Sequence, residues 1–132
     1  MPATEASKAA READGMPGFF LQPPAGFSLL AARTDSELRG HIRDNKDKTV
    51  VVKFGSSWCA HCHEMFPHFY RFSKEFPENK YVVAQLDYMD VESKGITYTP
   101  TYTFYKQGKK VDEFFGSNPQ QLRDHIWLHT DT

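Results

Sequence analysis

Both cysteines of the chain lie in the segment SSWCAHCHEMFPHF, residues 56–69. Two residues separate Cys59 from Cys62, and His61, His63 and His68 lie between or just after them. Three chemistries use cysteines at this spacing: a dithiol that exchanges with disulfides, a metal site, and covalent haem attachment through C-x-x-C-H. The residues around the pair must decide between them.

A purely structural disulfide would explain the cysteine pair poorly. Closing a loop of about four residues between Cys59 and Cys62 gains roughly 2 kcal/mol on the chain-entropy estimate, against about 4.7 kcal/mol for a loop of about 100 residues. A small secreted domain would also carry several cysteine pairs spaced far apart. The pair is therefore expected to do chemistry.

Features of the sequence argue against covalent haem attachment and against a metal site within one chain. Haem attachment would need an export signal and an open apolar pocket, and the amino-terminal sequence MPATEASKAAREADG has no apolar core segment. Zinc prefers four ligands, and His63 on the following predicted helix is expected to point away from the cysteines. Two chains could together supply four thiolates from Cys59 and Cys62 to a zinc ion or an iron–sulfur cluster, and this alternative stays open. For a single chain we expect no metal.

The charge, hydropathy and length of the chain limit the classes of partner and the number of domains that we expect. The 16 Lys and Arg residues against 17 Asp and Glu residues give a formal net charge of -1, which favours neither nucleic acid nor an anionic membrane. No segment reaches the roughly 18 apolar residues that span a bilayer. A length of 132 residues is typical of one domain. Because the amino-terminal segment resembles neither a signal peptide nor a transit peptide, we expect a cytoplasmic or, alternatively, nuclear protein. We also expect a monomer.

The cysteines lie where a predicted strand passes into a predicted helix. TVVVKFG, residues 49–55, is a β-branched run typical of a strand that is buried on both faces. HEMFPHFYRFSKEF, residues 63–76, has helical spacing of its apolar residues. Cys59 is therefore expected in the first turn of that helix.

Further elements surround this unit. Strands are predicted at FSLLA (27–31), KYVVAQLD (80–87), TYTFYK (101–106) and KVDEFF (110–115), and helices at TDSELRGHIRDNK (34–46) and NPQQLRDHIWLHT (118–130). Thr34 and Asn118 are the predicted helix caps. The order β α β α β α β β α, with a short third helix, predicts an α/β domain with a mixed sheet and helices on both faces. Residues 1–26 are predicted to form a flexible arm and residues 27–132 the domain.

Helix-start geometry favours a reactive thiolate at Cys59. Unpaired N–H groups and the positive end of the helix dipole lower the pKa of such a thiol from about 8.5 to about 3.5 to 7.5. Cys59 is thus the predicted nucleophile, and Cys62, one turn further, is the predicted resolving thiol that attacks the mixed disulfide. An imidazolium at His61 would stabilise the thiolate further, and one pKa unit corresponds to about 30 mV.

Taken together, these features resemble the thioredoxin family over residues 27–130. The resemblance rests on the buried strand before WCAHC, residues 58–62, and on TPT, residues 99–101, before a hairpin. TPTYTFYKQGKKVDEFFG and the ending WLHT resemble plant-type thioredoxin-like proteins in particular. The resemblance implies a thioredoxin fold and protein-disulfide reductase activity without a cofactor, in electron transport and cell redox homeostasis. Electrons would come from a thioredoxin reductase or from the glutathione/glutaredoxin system.

The resemblance also implies a groove for disulfide-containing client proteins beside the dithiol. The Thr99–Pro100 peptide would be cis, so that the Thr99 backbone pairs with an extended client segment. The residues implied in client binding are Trp58, Ala60, Thr99, Pro100, Phe115 and Gly116. Trp58 has a competing interpretation as a core aromatic. A redox-weak module, which docks a partner in this groove while the dithiol is incidental, also stays open.

Lys53, six residues before Cys59, departs from the family pattern, which has a buried carboxylate at this position. That carboxylate is thought to relay the proton that the resolving cysteine must lose. The lysine has three possible roles: a neutral base, a charge that stabilises a thiolate, or a side chain that reaches solvent. Without a relay, resolution of the mixed disulfide is expected to be slow. Lys53 and His61 are the residues predicted to tune the dithiol.

Overall fold

Residues 29–90 and 95–131 are described by the computed structural model. The strands are Leu29–Ala32 (β1), Val50–Gly55 (β2), Lys80–Gln85 (β3), Thr101–Lys106 (β4) and Lys109–Phe115 (β5), and the helices are Asp35–Asp44 (α1), Ala60–Glu75 (α2) and Pro119–His129 (α3). A 3-10 helix, Leu86–Tyr88, follows β3. The short third helix was predicted between β3 and β4, a segment in which residues 91–94 lie outside the described residues. The predicted arm, residues 1–26, lies outside the described residues. No helix in the described ranges is long and apolar enough to cross a membrane.

The strands form one mixed sheet in the order β1-β3-β2-β4-β5. β2 is parallel to β3, with Lys53 opposite Val83, and antiparallel to β4, with Lys53 opposite Tyr102. β1 runs parallel to β3, whereas β4 and β5 form an antiparallel hairpin. The mixed sheet predicted from the helix crossovers and the hairpin is therefore confirmed.

Every residue of β2 is buried because helices cover both faces of the sheet. On one face, Val51 packs in a cluster with Phe69 of α2 and Leu122 of α3. On the other face, Val52 belongs to a second cluster that includes Leu38 of α1. Burying one such side chain contributes about 1.5 to 3 kcal/mol, so the two clusters supply most of the packing free energy.

Helix boundaries follow the capping residues that the sequence predicts. Thr34 Oγ1 accepts a hydrogen bond from Glu37 N–H at 3.1 Å at the start of α1. Asn118 Oδ1 accepts from the N–H groups of Gln120 and Gln121, at 3.0 and 3.2 Å, at the start of α3. Each cap satisfies an N–H group that has no partner inside the helix and is worth about 1 kcal/mol.

The sheet topology brings four chain segments to one edge. The parallel strands β2 and β3 end there, and the last residue of β2, Gly55, lies opposite Gln85. β4 begins there with Thr101, opposite Phe54 of β2, and β5 ends there with Phe115. The segment that carries both cysteines follows β2 and therefore lies at this edge.

Asp112 on β5 connects the sheet to α3. His125 Nδ1 and His129 Nε2, one turn apart on α3, donate hydrogen bonds to Asp112 Oδ2 at 2.6 and 2.9 Å. Partial burial raises the pKa of the Asp112 carboxyl, but the hydrogen bonds from His125, His129 and the Glu113 N–H outweigh burial. The pKa of Asp112 therefore lies below its ordinary value.

We expect Asp112→Asn to destabilise the fold by about 1 kcal/mol at neutral pH, because charge-assisted hydrogen bonds are lost. Since the pKa of Asp112 is lower in the folded chain than in the unfolded chain, its contribution is complete above about pH 4. It disappears as the pH falls through the folded value. The free energies of unfolding of the two proteins, measured with urea, should thus differ near neutral pH and converge in acid. Asp124→Asn, which alters an exposed carboxylate on α3, is the control. A difference that persists undiminished in acid would contradict this account.

Candidate active site

Cys59 caps the amino end of helix α2. Its backbone is extended, with φ -87° and ψ 104°, and its Sγ accepts a hydrogen bond from Cys62 N–H at 3.0 Å. A sulfur at this position faces the positive end of the helix dipole, which stabilises a thiolate. The predicted location of Cys59 between a buried strand and a helix is confirmed.

The two cysteines differ in their access to solvent. They are joined by a disulfide, with Cα atoms 5.2 Å apart. Cys59 is 8 % exposed, whereas Cys62 is 0 % exposed. Because a client disulfide must approach from solvent, this difference supports Cys59 as the attacking thiol and Cys62 as the resolving thiol.

His61 lies between the cysteines on the exposed side of the helix start. Its side chain is 65 % exposed, and Nδ1 lies 3.3 Å from Glu64 Oε2. An exposed ion pair is screened by water and salt, so His61 and Glu64 together place only a modest charge beside Cys59. The first turn of α2 carries no acidic residue that would oppose a thiolate.

The other two histidines of the segment, His63 and His68, are partly buried. His63 Nε2 donates to the Ser57 carbonyl at 3.4 Å. His68 Nδ1 accepts from the Arg71 guanidinium at 3.1 Å, and burial together with the charge of Arg71 lowers the pKa of His68. Within the described ranges, no three His, Cys, Asp or Glu side chains are grouped to hold a metal ion.

Lys53 is fully buried in the centre of the sheet. Its Nζ lies 5.6 Å from the ring centroid of Phe66. Phe66 follows Cys62 by one helical turn, so both side chains lie on the buried face of α2. The interpretation that Lys53 reaches solvent is therefore wrong, because β2 lies between two strands and beneath a helix. The lysine belongs to the layer of side chains beneath the resolving thiol.

Trp58 and Ala60, on either side of Cys59, are exposed. Trp58 is 80 % exposed, so its interpretation as a core aromatic is wrong. A large apolar surface beside a reactive thiol supports its predicted role as a platform for clients. Ala60 adds little bulk and leaves the approach to Cys59 open.

The loop before β4 has the geometry that the resemblance implies. The Thr99–Pro100 peptide is cis, and the Pro100 carbonyl accepts a hydrogen bond from Gly116 N–H at 3.1 Å. Gly116 has φ +131°, a conformation that side-chain-bearing residues rarely adopt, so glycine is needed where β5 meets this loop. Thr99, Phe115 and Gly116 thus form one connected surface around the buried Pro100, at the edge where the cysteines lie.

The sequence did not reveal Asp87 as part of this edge. Ser57 N–H is directed at the Asp87 carboxylate, 3.3 Å from Oδ2, and Gln85 Nε2 donates to the same oxygen at 2.8 Å. Asp87 therefore anchors the start of the segment that carries the cysteines. Its position just after β3 was a usable signal, because parallel neighbours end at the same edge of a sheet.

Tyr98 was also missed. Its ring stacks on that of Phe115, with centroids 4.6 Å apart. The Thr101 hydroxyl donates to the Tyr98 carbonyl and fixes the loop around Pro100. No local pattern identifies this pair, because the two residues are distant in sequence and meet only through the pairing of β4 with β5.

The sequence of this chain is similar to those of known proteins. A family model for thioredoxin matches residues 30–127. The chain is 36 % identical over 105 residues to Thioredoxin-like 3-3 of Oryza sativa subsp. japonica, covering 78 % of this chain and 81 % of the rice protein. It is 42 % identical over 81 residues to Thioredoxin-like 3-3 of Arabidopsis thaliana, covering 61 % and 64 %.

The fold of this chain is also similar to that of a solved thioredoxin structure. The X-ray structure of Fasciola hepatica thioredoxin is 33 % identical, with a TM-score of 0.71 over 75 % of this chain and 97 % of that chain. The expected fold and the expected resemblance to plant thioredoxin-like proteins are confirmed.

We expect His61→Pro to make the Cys59–Cys62 couple more reducing by tens of millivolts. The substitution removes an imidazole whose charged form favours the thiolate, and one pKa unit corresponds to roughly 30 mV. Equilibration in dithiothreitol or glutathione buffers of known potential, with the thiols counted by mass spectrometry, gives the midpoint. His68→Asn, further along α2, is the control. An unchanged midpoint in His61→Pro would make His61 a bystander.

Proposed function

The chain belongs to the thioredoxin family and is a thiol-disulfide oxidoreductase, and from this premise we propose that it reduces client disulfides with Cys59 as nucleophile and Cys62 as resolving thiol. One observation carries the assignment of roles. Cys59 lies at the helix start and is 8 % exposed, whereas Cys62, one turn later, is 0 % exposed.

The first step is attack of the Cys59 thiolate on one sulfur of the client disulfide. A bond forms between Cys59 and that sulfur while the client's own S–S bond breaks, and the second client sulfur leaves as a thiolate that takes a proton. The Cys62 N–H, which lies 3.0 Å from Cys59 Sγ, can donate to the thiolate before attack. This hydrogen bond stabilises the thiolate, and the proton that Cys59 loses passes to water.

The second step needs a proton to leave Cys62. The Cys62 thiolate attacks Cys59 Sγ, the Cys59–Cys62 disulfide forms, and the remaining client sulfur leaves as a thiolate that is then protonated. Two electrons have then passed from the protein to the client. Cys62 is buried, and Lys53 Nζ lies 5.6 Å from the ring of Phe66, one helical turn after Cys62. We therefore expect the buried lysine to affect removal of this proton.

Client binding is assigned to the surface around the dithiol. The exposed Trp58 ring offers apolar area, and the half-buried Thr99 precedes the cis-proline, where its backbone can pair with an extended segment. Backbone pairing is independent of client sequence, which suits an enzyme that acts on several clients. Both thiols come from one chain, so a monomer suffices.

A reducing compartment is the proposed setting, the cytoplasm or alternatively the nucleus. The dithiol must be reduced again after each cycle, and both candidate donors, a thioredoxin reductase with NADPH and the glutathione system, operate there. Supplying each donor separately to the oxidised protein in the presence of insulin, and following NADPH oxidation, tests the function and identifies the donor. Failure with both donors would contradict the proposed reductase.

We expect Cys59→Ser to abolish reduction of insulin disulfides, because the attacking sulfur is gone. Cys62→Ser should still make the first attack and accumulate a mixed disulfide with its client, because only the second step is lost. Non-reducing electrophoresis and intact mass measure the mixed disulfide. If Cys59→Ser were the variant that trapped clients, the two roles would be reversed.

We expect Lys53→Asp to accelerate the second step by roughly tenfold or more, because a carboxylate with a burial-raised pKa can accept the Cys62 proton near neutral pH. In stopped-flow measurements, the first step depends on client concentration and the second does not. Lys53→Met removes the charge at similar length and is the matched control without a base. If Lys53→Asp slowed both steps, the lysine would instead support a thiolate through its positive charge.

A further inference from the structure

A pocket of about 570 Å³ opens beside the cis-proline loop. Tyr98 and Phe115 form one wall, with their rings stacked at an interplanar angle of 24°. Tyr98 is 58 % exposed and Phe115 is 57 % exposed, so both rings keep an uncovered face. The two chemical steps described above make no use of this space.

The pocket is held in a fixed position relative to the edge where the cysteines lie. Phe115 lies opposite Thr101, the first residue of β4, in the sheet, and Gly116 N–H donates a hydrogen bond to the Pro100 carbonyl. The Tyr98 carbonyl accepts a hydrogen bond from the Thr101 hydroxyl. A client segment that lies along the cis-proline loop therefore passes the pocket with a side chain close in sequence to its target cysteine.

The chemistry of the lining favours a cation. Of the described residues that line the pocket, Glu113 alone is charged at neutral pH, and Thr97 and Gln121 add polar groups. Lys110 Nζ lies 3.1 Å from Glu113 Oε1, but both side chains are well exposed, and such surface pairs are weak and exchange readily. An apolar client side chain would displace water from the carboxylate without offering it a hydrogen bond, which is unfavourable.

A guanidinium meets these requirements better than an ammonium does. It is planar, stacks on aromatic faces, is weakly hydrated and pairs with a carboxylate through two N–H groups. We propose that this pocket binds an arginine side chain of the client near its target cysteine and thereby selects which disulfides the protein reduces. This specificity rests on the proposed reductase function and adds no covalent step to it.

Synthetic peptides test the selection directly. Each peptide carries one cysteine in a disulfide with thionitrobenzoate, and arginine, citrulline or leucine is placed in turn at each position flanking the cysteine. Citrulline has the shape of arginine without its charge. The measured quantity is the second-order rate constant for release of thionitrobenzoate by the reduced protein. Each rate is divided by the rate for dithiothreitol, which removes the effect of arginine on the intrinsic reactivity of the disulfide.

We expect arginine to exceed citrulline by about threefold to tenfold at one flanking position, the gain typical of a stacked, partly exposed ion pair. Glu113→Gln should bring this ratio towards one through loss of the carboxylate, and Tyr98→Ala should do so through loss of the stacked ring. Val111→Ala changes an exposed apolar residue of β5 that does not line the pocket, and it should keep the wild-type ratio.

Two kinds of result would overturn the proposal, and they differ from failure of the reductase function. The pocket has no arginine preference if no position favours arginine over citrulline, or if leucine reacts as fast as arginine. A preference that survives both Glu113→Gln and Tyr98→Ala arises elsewhere on the protein. If instead no peptide reacts faster with the protein than with the Cys59→Ser variant, the proposed reductase function itself fails.

Discussion

The hydrogen bond from Cys62 N–H to Cys59 Sγ is the constraint on which the site depends. It makes one sulfur both the cap of α2 and part of the less deeply buried cysteine of the pair, so the helix cannot start elsewhere without moving the nucleophile. The same geometry buries Cys62 one turn later, and the order of the two chemical steps follows from it. Reactivity is thus a property of the helix start, and the rest of the domain serves to hold that start in place.

That support comes mainly from β2. A strand covered on both faces gives a rigid base for the segment that follows it, and its neighbours β3 and β4 bring their own ends to the same edge. Asp87 after β3 fixes the Ser57 N–H, and Pro100 before β4 provides the opposing loop. The dithiol therefore lies between two surfaces that are set by one sheet, rather than on an independent flexible loop.

Local signals explain why much of the fold was predictable. The β-branched run of β2, the caps Thr34 and Asn118, and the spacing of the cysteines each involve residues within one or two turns of chain. What escaped prediction depends on tertiary cover. Whether Lys53 reaches solvent is decided by the helix packed over it. Asp87 contacts Ser57 in the segment after β2, and Tyr98 contacts Phe115 on β5. Long-range pairing is not encoded in the periodicity of any one segment, so the contact between Tyr98 and Phe115 could only be seen in the folded chain.

The position of β5 at the border of the sheet has a consequence for behaviour at high concentration. A border strand presents unpaired backbone N–H and C=O groups that can recruit a strand from another molecule and begin aggregation. Lys109 and Lys110 lie exposed at its start, and Asp112 and Glu113 follow, so this border is lined with charge. Extended polypeptides are thereby discouraged from adding to this border, which leaves the proposed pairing with client segments to the cis-proline loop.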